Sequence, residues 1–370
     1  MDLKEIRNKI DSIDDQLLDL FLQRMECSKQ VAEYKVANNI PVLNAQRESE
    51  ILDKVASDAG DYAEHARLLY STIMDISRSA QYPYVCKNNS LNEVITSATN
   101  TEFAPKIVGC QGTIGAYSEQ AALTLYPDCE IKYYPTFEQV FKAIENGEVD
   151  CGVLPVENSC AGSVVENYDL LMKYDMYINQ QVDLSISHCI AACPNADMGT
   201  IKTVFSHEQA LNQCADFITE HAISPHSMRN TAIAAEYVAN KGDDTLAAIC
   251  SERCADVYSL KILHKNIQTS SVNTTRFVVV SKSMSIKPDA SHISVAFTLP
   301  HIPGALYRVL SKLAAFNLNL TKIESRPVKT SLFEYLFYLD FNGNLLDEKT
   351  ASLLASLNEE MPQFKLFGNY

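Results

Sequence analysis

The sequence predicts a multidomain protein with three folded segments in series: all-α, α/β and α+β. At 370 residues the chain exceeds the size of one typical domain. In the first segment apolar residues recur every three or four positions, and in the second strand-like and helix-like runs alternate. The third follows the order strand, helix, strand, strand, helix. We place the segments at 1–85, 105–282 and 290–370, with a linker at 86–104.

Charge and hydropathy exclude several classes of protein. The net charge of −15 argues against a nucleic-acid-binding surface. No apolar run approaches the length of a membrane span, and the charged start MDLKEIRNKI is unlike a signal peptide. We therefore expect a cytoplasmic protein without nucleic-acid or membrane partners.

The eleven cysteines are scattered and contain no CxxC pair. Cys189 and Cys193 lie four residues apart, as do Cys250 and Cys254, and His188 precedes the first pair. No second ligand pair shows a matching spacing, so we expect no metal site. Buried, reduced thiols in a cytosolic protein fit this pattern better.

The first predicted helix runs from about Leu3 to Asn38, and Pro41 marks its end. Its apolar seam reaches Arg24 where the spacing requires an apolar residue. Lys35 follows 11 residues later and projects within roughly 20° of Arg24. Two cations facing a helical core indicate a pocket for a small polyanion; an interface salt bridge or a snorkelling side chain is the alternative. The seam consists of Leu3, Ile6, Ile10, Ile13, Leu17 and Leu20.

Two shorter helices follow, near Ala45–Ser57 and Tyr62–Tyr82, and Pro83 is expected to stop the second. Three such helices cannot bury a long seam alone, so we expect a homodimer or a higher homo-oligomer. Arg7 lies 17 residues before Arg24 and points about 100° away from it. Arg7 would therefore reach the same pocket only from a second chain. The other polar residues of this constellation are Arg47, Glu48, Ser77 and Gln81.

Residues 3–82 resemble the AroQ-type chorismate mutase family through the spacing of these polar residues. A Claisen-type rearrangement suits them because it needs no nucleophile or metal, only a folded substrate and donors aimed at the ether oxygen. No cofactor is implied. The resemblance implies chorismate binding by Arg7, Arg24, Lys35, Asn44, Arg47, Glu48, Ser77 and Gln81.

The same resemblance implies a role for each side chain. The residues expected to bind the two carboxylates are Arg7 of one chain and Arg24 and Arg47 of the other. Lys35 and Gln81 would donate to the ether oxygen, and Glu48 would accept from the ring hydroxyl. Asn44 stands where the family often has Asp, and we expect it to tune the activity rather than abolish it.

In residues 105–282 short strands alternate with helices. KIVGC, EIKYY, CGVLPV, KTVF, AAIC and RFVVV predict strands. One helix opens with a capping box from Thr136 to Gln139 and ends at Gly147. Together these runs predict an α/β domain whose sheets are covered by helices. Further helices are expected from about Ser163, His207, Thr231 and Glu252.

Four runs in this segment together resemble prephenate dehydratase: LPVENS (154–159), SHEQALNQC (206–214), RNTAIAAE (229–236) and NTTRF (273–277). The resemblance implies two α/β subdomains with prephenate in the cleft between them. Thr275 would donate a hydrogen bond to the leaving hydroxide, and Arg276 would bind a substrate carboxylate. Local capping and pairing of these two residues is the alternative. The residues implied near the cleft are Asn158, Ser206, Gln213, Thr231, Thr275 and Arg276.

Three glycines lie in or directly after the first strand of this segment. Gly109, Gly112 and Gly115 have the spacing GxxGxxG, not the GxGxxG of a dinucleotide loop. Glu130, the acid nearest the expected position, opens a strand instead of ending one. We expect no nucleotide site here; the glycines are expected to expose backbone N–H groups at a helix start, which suits an anion.

The last segment predicts the strand HISVAFTL, the helix ALYRVLSKLAAF, the strands NLTKIESRP and FEYLFYLDF, a helix and a closing strand FKLFG, a ferredoxin-like order. HIPGAL (301–306) and IESRP (323–327) resemble the ACT regulatory domain. The resemblance implies that phenylalanine binds at a domain interface as an allosteric effector. Tyr307 stands where the family often has Val and would narrow the pocket. The implied effector residues are Gly304, Ala305, Leu306, Glu324, Ser325 and Arg326.

The three resemblances together predict a bifunctional enzyme of phenylalanine biosynthesis. It would convert chorismate to prephenate and prephenate to phenylpyruvate, with feedback inhibition by phenylalanine. One alternative is a sensor that binds aromatic metabolites without turnover, and Lys35, Gln81 and Thr275 argue against it. A second is a mutase fused to an NAD-dependent prephenate dehydrogenase, for which the sequence lacks the dinucleotide loop.

Overall fold

A computed structural model describes residues 2–85, 90–98, 103–270, 272–328 and 335–370. The chain divides into two compact units, Met1–Thr101 with Ile286–Asn369, and Glu102–Ser285 with Tyr370. The predicted helical and carboxy-terminal segments therefore belong to the same compact unit. They share it because their apolar residues pack together, as in the buried cluster of Val42, Tyr82 and Ala355.

The amino-terminal part of the first unit is helical, with α1 at Leu3–Asn38, α2 at Ala45–Ala59 and α3 at Ala63–Val85. The first two confirm the predicted helices. The third continues past Pro83 instead of stopping there. Proline lacks the N–H that an interior helical residue donates, and here it falls in the last turn of the helix.

The segment predicted as a linker contains a helix, α4, at Ser90–Ala98. The prediction of a linker was wrong here because it relied on the many polar residues of this segment. Leu91, Ile95 and Ala98 recur at helical spacing among them and are buried on one face of α4. The remaining parts of the predicted linker at 86–89 and 99–102 lie outside the described residues.

The apolar seam of α1 is not covered within one chain. Its six predicted members are between 39% and 61% exposed. Within α1 the buried residues are Ser28 and Ala32, near its carboxy-terminal half. A helix with so much apolar surface in water needs a further partner.

The second unit alternates strands and helices as predicted. Its first helices follow strands directly, and one of them, Phe137–Asn146, confirms the capping box of Thr136 and Gln139 and the left-handed Gly147 at its end. The strands are β1 Ile107–Gln111, β2 Glu130–Tyr134, β3 Cys151–Asn158, β4 Gly162–Ser163, β5 Tyr177–Ser185, β6 Cys189–Ala192, β7 Thr203–His207, β8 Ser224–Met228, β9 Leu246–Cys250, β10 Lys261–His264 and β11 Thr274–Ser281. The helices are α5 Tyr117–Leu125, α6 Phe137–Asn146, α7 Val165–Lys173, α8 Glu208–Gln213, α9 Ala215–Glu220, α10 Thr231–Lys241 and α11 Glu252–Val257.

Two sheets organise this unit. The first has the order β2-β1-β3-β11-β5, with β4 paired to β3, and the second has the order β10-β6-β9-β7-β8. In the first sheet β1 runs parallel to β2 and β3, whereas β11 is antiparallel to both β3 and β5. Two sheets with helices against them are the α/β arrangement that the sequence predicts.

The carboxy-terminal part of the first unit has the predicted βαββαβ order. Phe333 and Glu334 of the predicted second middle strand lie outside the described residues. The elements are β12 His292–Thr298, α12 Ala305–Ala315, β13 Leu320–Pro327, β14 Tyr335–Asn342, α13 Glu348–Glu360 and β15 Phe364–Asn369. The sheet is antiparallel with the order β13-β14-β12-β15. Over the residues that the structure describes, no helix is both long and apolar enough to cross a membrane.

Candidate functional sites

The three long helices α1, α2 and α3 enclose a polar pocket of about 280 Å³. Seven of the eight residues predicted to bind chorismate line it, and Arg7 does not. Arg7 is exposed on the first turns of α1, as expected if it serves a pocket of a second chain. The seven are Arg24, Lys35, Asn44, Arg47, Glu48, Ser77 and Gln81.

Two cations of this pocket, Arg24 and Lys35, are held by neutral groups. The Arg24 guanidinium donates to the Ser77 hydroxyl. Lys35 Nζ donates to the Val42 carbonyl at 2.5 Å and to Gln81 Oε1 at 3.1 Å. Burial lowers the pKa of Lys35, an effect that the charge of Glu48 opposes. The two predicted ether donors, Lys35 and Gln81, are therefore in direct contact.

Asn44 and Arg47 lie at the rim. Asn44 caps α2, its side-chain oxygen accepting from the Arg47 backbone N–H at 3.0 Å. The Arg47 guanidinium pairs with Glu50 at 3.2 Å and its side chain is 68% exposed. An exposed pair of this kind contributes little to stability, so Arg47 is free to turn toward an anion.

Sequence reasoning missed Arg78, which also lines this pocket. Its guanidinium contacts Glu48 and Asp75 and is 3% exposed. The sequence did contain a signal for Arg78. It lies three residues after Asp75 on the same predicted helix, a spacing at which an acid and a base can pair.

The second unit contains a cleft of about 300 Å³. The residues of the prephenate dehydratase prediction that line it are Asn158, Gln213, Thr231 and Thr275. Ser206 does not: it is 0% exposed, and its hydroxyl donates to the Ile249 carbonyl at 2.6 Å. The expectation that Ser206 lies at the cleft is therefore wrong, because its side chain is used to join β7 to β9.

A polar network places Thr275 at the cleft wall. Asn158 Nδ2 donates to Thr275 Oγ1 at 2.9 Å and to Asn273 Oδ1 at 2.8 Å. Asn273 Nδ2 in turn donates to Gln213 Oε1 at 3.0 Å. Because Thr275 Oγ1 accepts from Asn158, its own proton remains available to a group in the cleft.

His188 is a further residue of this cleft that sequence reasoning considered only as a metal ligand. It is 2% exposed, and its Nε2 lies 3.0 Å from Gln213 Oε1. Burial lowers the pKa of His188, and the hydrogen bond to Gln213 partly offsets this. A neutral imidazole is therefore favoured at neutral pH.

Arg276 does not share the cleft with Thr275. Its guanidinium makes two hydrogen bonds to Asp183, at 2.9 and 3.1 Å, and lies 3.6 Å from Glu157. Consecutive residues of a strand point to opposite faces of the sheet, so only one of the two can face the substrate. The prediction that Arg276 binds a substrate carboxylate is therefore wrong for this geometry.

Contrary to the prediction, the two glycines after β1 do not offer free N–H groups. The Gly112 N–H donates to the Tyr134 carbonyl at 2.9 Å, and the Gly115 N–H donates to the Glu119 carboxylate. Tyr117 and Ser118 of the first turn of α5 line the cleft, and the first N–H groups of a helix have no partner within the helix.

Asn230 is another cleft residue that sequence reasoning passed over. Its Oδ1 caps α10 by accepting from the Ile233 N–H at 2.7 Å, whereas its Nδ2 is buried and has no partner in the described structure. Asn230 stands directly before Thr231 in the run RNTAIAAE, and a cap at that point was readable from the sequence. An unpaired buried donor at a cleft suits an anionic oxygen.

A third pocket, of about 590 Å³, lies beside α12. Gly304, Ala305, Leu306 and Tyr307 line it, and Gly304 has the positive φ of 79° that glycine adopts readily. The other predicted effector residues do not line it. These are Glu324, Ser325 and Arg326, which lie along β13, where Arg326 is 3.6 Å from Glu324.

The four cysteines considered as metal ligands are all buried, as predicted. The thiol of Cys189 contacts the Cys250 carbonyl at 3.3 Å. Over the described ranges no group of three or more His, Cys, Asp or Glu side chains is placed to hold a metal ion.

Comparisons with known proteins match two separate parts of the chain. A family model described as chorismate mutase type II matches residues 6–82, and one described as prephenate dehydratase matches residues 108–285. Each match therefore contains one of the two polar pockets.

Similar proteins cover one or both parts. The bifunctional chorismate mutase/prephenate dehydratase of Aquifex aeolicus (strain VF5) is 31% identical over 375 residues, covering 100% of this chain and 98% of that protein. The chloroplastic arogenate dehydratase/prephenate dehydratase 1 of Arabidopsis thaliana is 38% identical over 279 residues, 71% of each chain. The solved prephenate dehydratase of Arthrobacter aurescens in complex with L-Phe is 27% identical with a TM-score of 0.66, covering 71% of this chain and 89% of that one. The chain is therefore an enzyme of the bifunctional chorismate mutase/prephenate dehydratase family.

Proposed function

We propose that the chain rearranges chorismate to prephenate in the helical pocket and converts prephenate to phenylpyruvate in the cleft, with phenylalanine as feedback inhibitor. The observation that carries this proposal is that each family match encloses its own polar pocket with its own hydrogen-bond donors. Neither reaction requires a cofactor.

In the helical pocket the chemistry is a rearrangement of a bound conformer. Arg24 and Arg47 would bind the carboxylates, together with Arg7 of a second chain. Lys35 and Gln81 lie 3.1 Å apart, so one ether oxygen between them could accept from both once the Gln81 amide turns its Nε2 inward. As the C–O bond breaks, these donors stabilise the negative charge that grows on that oxygen.

The contribution of Arg7 implies at least a dimer. The apolar seam of α1, exposed in one chain, supplies the surface that a second copy would cover. Burying it would also bring another α1, and with it another Arg7, against the pocket.

In the cleft the proposed reaction begins with loss of the ring carboxylate of prephenate as carbon dioxide. The electron pair left behind forms a ring double bond and expels the ring hydroxide, which becomes water when protonated. Thr275 stabilises the leaving oxygen through a hydrogen bond, since Asn158 occupies its acceptor side. The first turns of α5 and α10, with Asn230 Nδ2, would hold the remaining carboxylate.

The pocket beside α12 is the proposed phenylalanine site of a ferredoxin-like ACT domain. Gly304 allows close approach of the backbone, Ala305 lines the pocket, and Leu306 would offer an N–H group of the first turn of α12 to a carboxylate. The L-Phe complex of the Arthrobacter aurescens protein supports phenylalanine as the ligand. Tyr307 occupies part of the pocket and would weaken binding of a bulky side chain.

One assay on the purified full-length chain tests this proposal. Chorismate is supplied with and without phenylalanine, and phenylpyruvate is measured in alkali; prephenate and arogenate are supplied separately. We expect phenylpyruvate from chorismate and from prephenate, less of it with phenylalanine, and no NAD requirement. Binding of chorismate without any product would favour the sensor instead, and phenylalanine formed from arogenate alone would reassign the cleft to that substrate.

A further inference from the structure

Arg78 is the centre of a buried ionic network in the first unit. Its three guanidinium nitrogens contact three carboxylates: Nη1 contacts Glu48, Nη2 contacts Asp75, and Nε lies 3.3 Å from Glu360. The side chain is 3% exposed, and those of Asp75 and Glu360 are 3% and 9% exposed. Buried charges of this kind are tolerated only when each is paired.

The network continues into the carboxy-terminal domain. Lys312 donates to Glu360 at 2.6 Å, and Arg308 contacts Asp75 through Nε at 3.1 Å and Nη2 at 2.8 Å. Three cations thus balance three carboxylates. Arg308 and Lys312 are on α12 and Glu360 ends α13, so the position of Arg78 depends on a domain outside the three mutase helices.

Glu48 connects this network to the mutase pocket. Its side chain is 20% exposed and lines the pocket together with Lys35. The charge of Glu48 raises the pKa of Lys35 and that of Arg78 lowers it, although burial is the larger effect. Glu48 thus contacts Arg78 while lining the same pocket as Lys35. Without Arg78, Glu48 would turn toward Lys35 and occupy one of the two ether donors.

We propose that Arg78 is a positioning residue for the mutase reaction, holding Glu48 toward the ring hydroxyl and away from Lys35, and that Glu360 of the carboxy-terminal domain holds Arg78 in place. This inference rests on the proposed roles of Glu48 and Lys35. The role proposed for Arg78 is exerted through Glu48, since each of its three guanidinium nitrogens contacts a carboxylate.

A double-mutant cycle in the full-length chain separates positioning from a structural role. Chorismate consumption is measured for Arg78→Met, Arg78→Lys, Glu48→Gln and the double variant, with prephenate turnover as a reference for the intact second unit. We expect Arg78→Met to lower mutase kcat about tenfold or more, Arg78→Lys to recover part of it, and Arg78→Met to cost less than about twofold when Glu48 is already Gln. Additive losses would overturn the inference.

The variant Glu360→Gln tests whether the carboxy-terminal domain holds Arg78 in place. It also tests the proposal if Arg78→Met does not fold. Glu359→Gln, the neighbouring exposed carboxylate, is the matched control. We expect Glu360→Gln to lower mutase kcat about threefold or more while Glu359→Gln and the prephenate reference stay unchanged. Full mutase activity in Glu360→Gln and Arg78→Met, with Glu48→Gln impaired, overturns this inference alone. Full activity in Glu48→Gln overturns the role of Glu48 in the proposed function as well.

Discussion

Thr275→Val removes one hydroxyl from the cleft while keeping the shape of the side chain. Thr275 Oγ1 accepts from Asn158 Nδ2, which retains Asn273 Oδ1 as an acceptor at 2.8 Å after the change. The loss of stability should therefore be that of one hydrogen bond, about 0.5–1.5 kcal/mol. A lost donor to a developing oxyanion costs about 2.7–4 kcal/mol, or about 10²–10³ in rate. The increase in the activation free energy of the dehydratase reaction should therefore exceed the decrease in the free energy of unfolding.

The assay follows phenylpyruvate formed from prephenate, with chorismate consumption by the same preparation as internal reference. Thr275→Ser keeps the hydroxyl and should retain most of the activity. Thr274→Val, which changes the neighbouring residue on the opposite face of β11, should retain it as well. Dehydratase turnover within about threefold of the unchanged protein in Thr275→Val would refute the role of the hydroxyl.

Three further predictions concern single side chains. Gln81→Glu should lower mutase activity at pH 7.5 by about 10²–10³ and make it rise as the pH falls, because only a protonated carboxyl can donate to the ether oxygen; an unchanged pH profile would argue against Gln81. Burial lowers the pKa of His188, so the unfolded chain binds its proton more readily and the folded chain loses stability as the pH falls below about 6.5. Denaturant unfolding should show that the free energy of unfolding falls less with decreasing pH in His188→Gln than in the unchanged protein, the difference being at most about 1.4 kcal/mol per pH unit. An equal fall in both proteins would contradict this. Asn230→Asp keeps the cap of α10 but replaces the donor with a charge, and should raise the KM for prephenate about tenfold or more, whereas Arg276→Gln should change it less than about threefold; the reverse order would return Arg276 to the substrate.

Features set by neighbours along the chain were predicted well. The helix after Thr136 was readable because its capping box and its terminal glycine are local signals. The pocket of the helical segment was readable because Arg24 and Lys35 share one face of one helix, and Ser77 and Gln81 share one face of another. The spacing along a helix fixes which side chains share a face, and the resemblance to the chorismate mutase family implied that the two faces meet in one pocket.

Features set by distant contacts were missed. Arg78 looks like an ordinary surface arginine until Glu360, 282 residues away, packs against it. Ser206 belongs to a run that matches the family, yet its hydroxyl is consumed by a bond to the neighbouring strand. Arg276 is a different case, since the alternation of side chains along a strand already implied that it could not face the cleft together with Thr275.

We propose that one chain holds two separate catalytic sites, and that prephenate released by the helical pocket is taken up by the cleft. The most direct measurement supplies chorismate to two full-length variants, Lys35→Met and Thr275→Val, alone and mixed. Each alone should form little phenylpyruvate, since one does not make prephenate and the other does not consume it. The mixture should form phenylpyruvate readily; a mixture as inactive as its components, or a variant that loses both activities while folded, would contradict the claim.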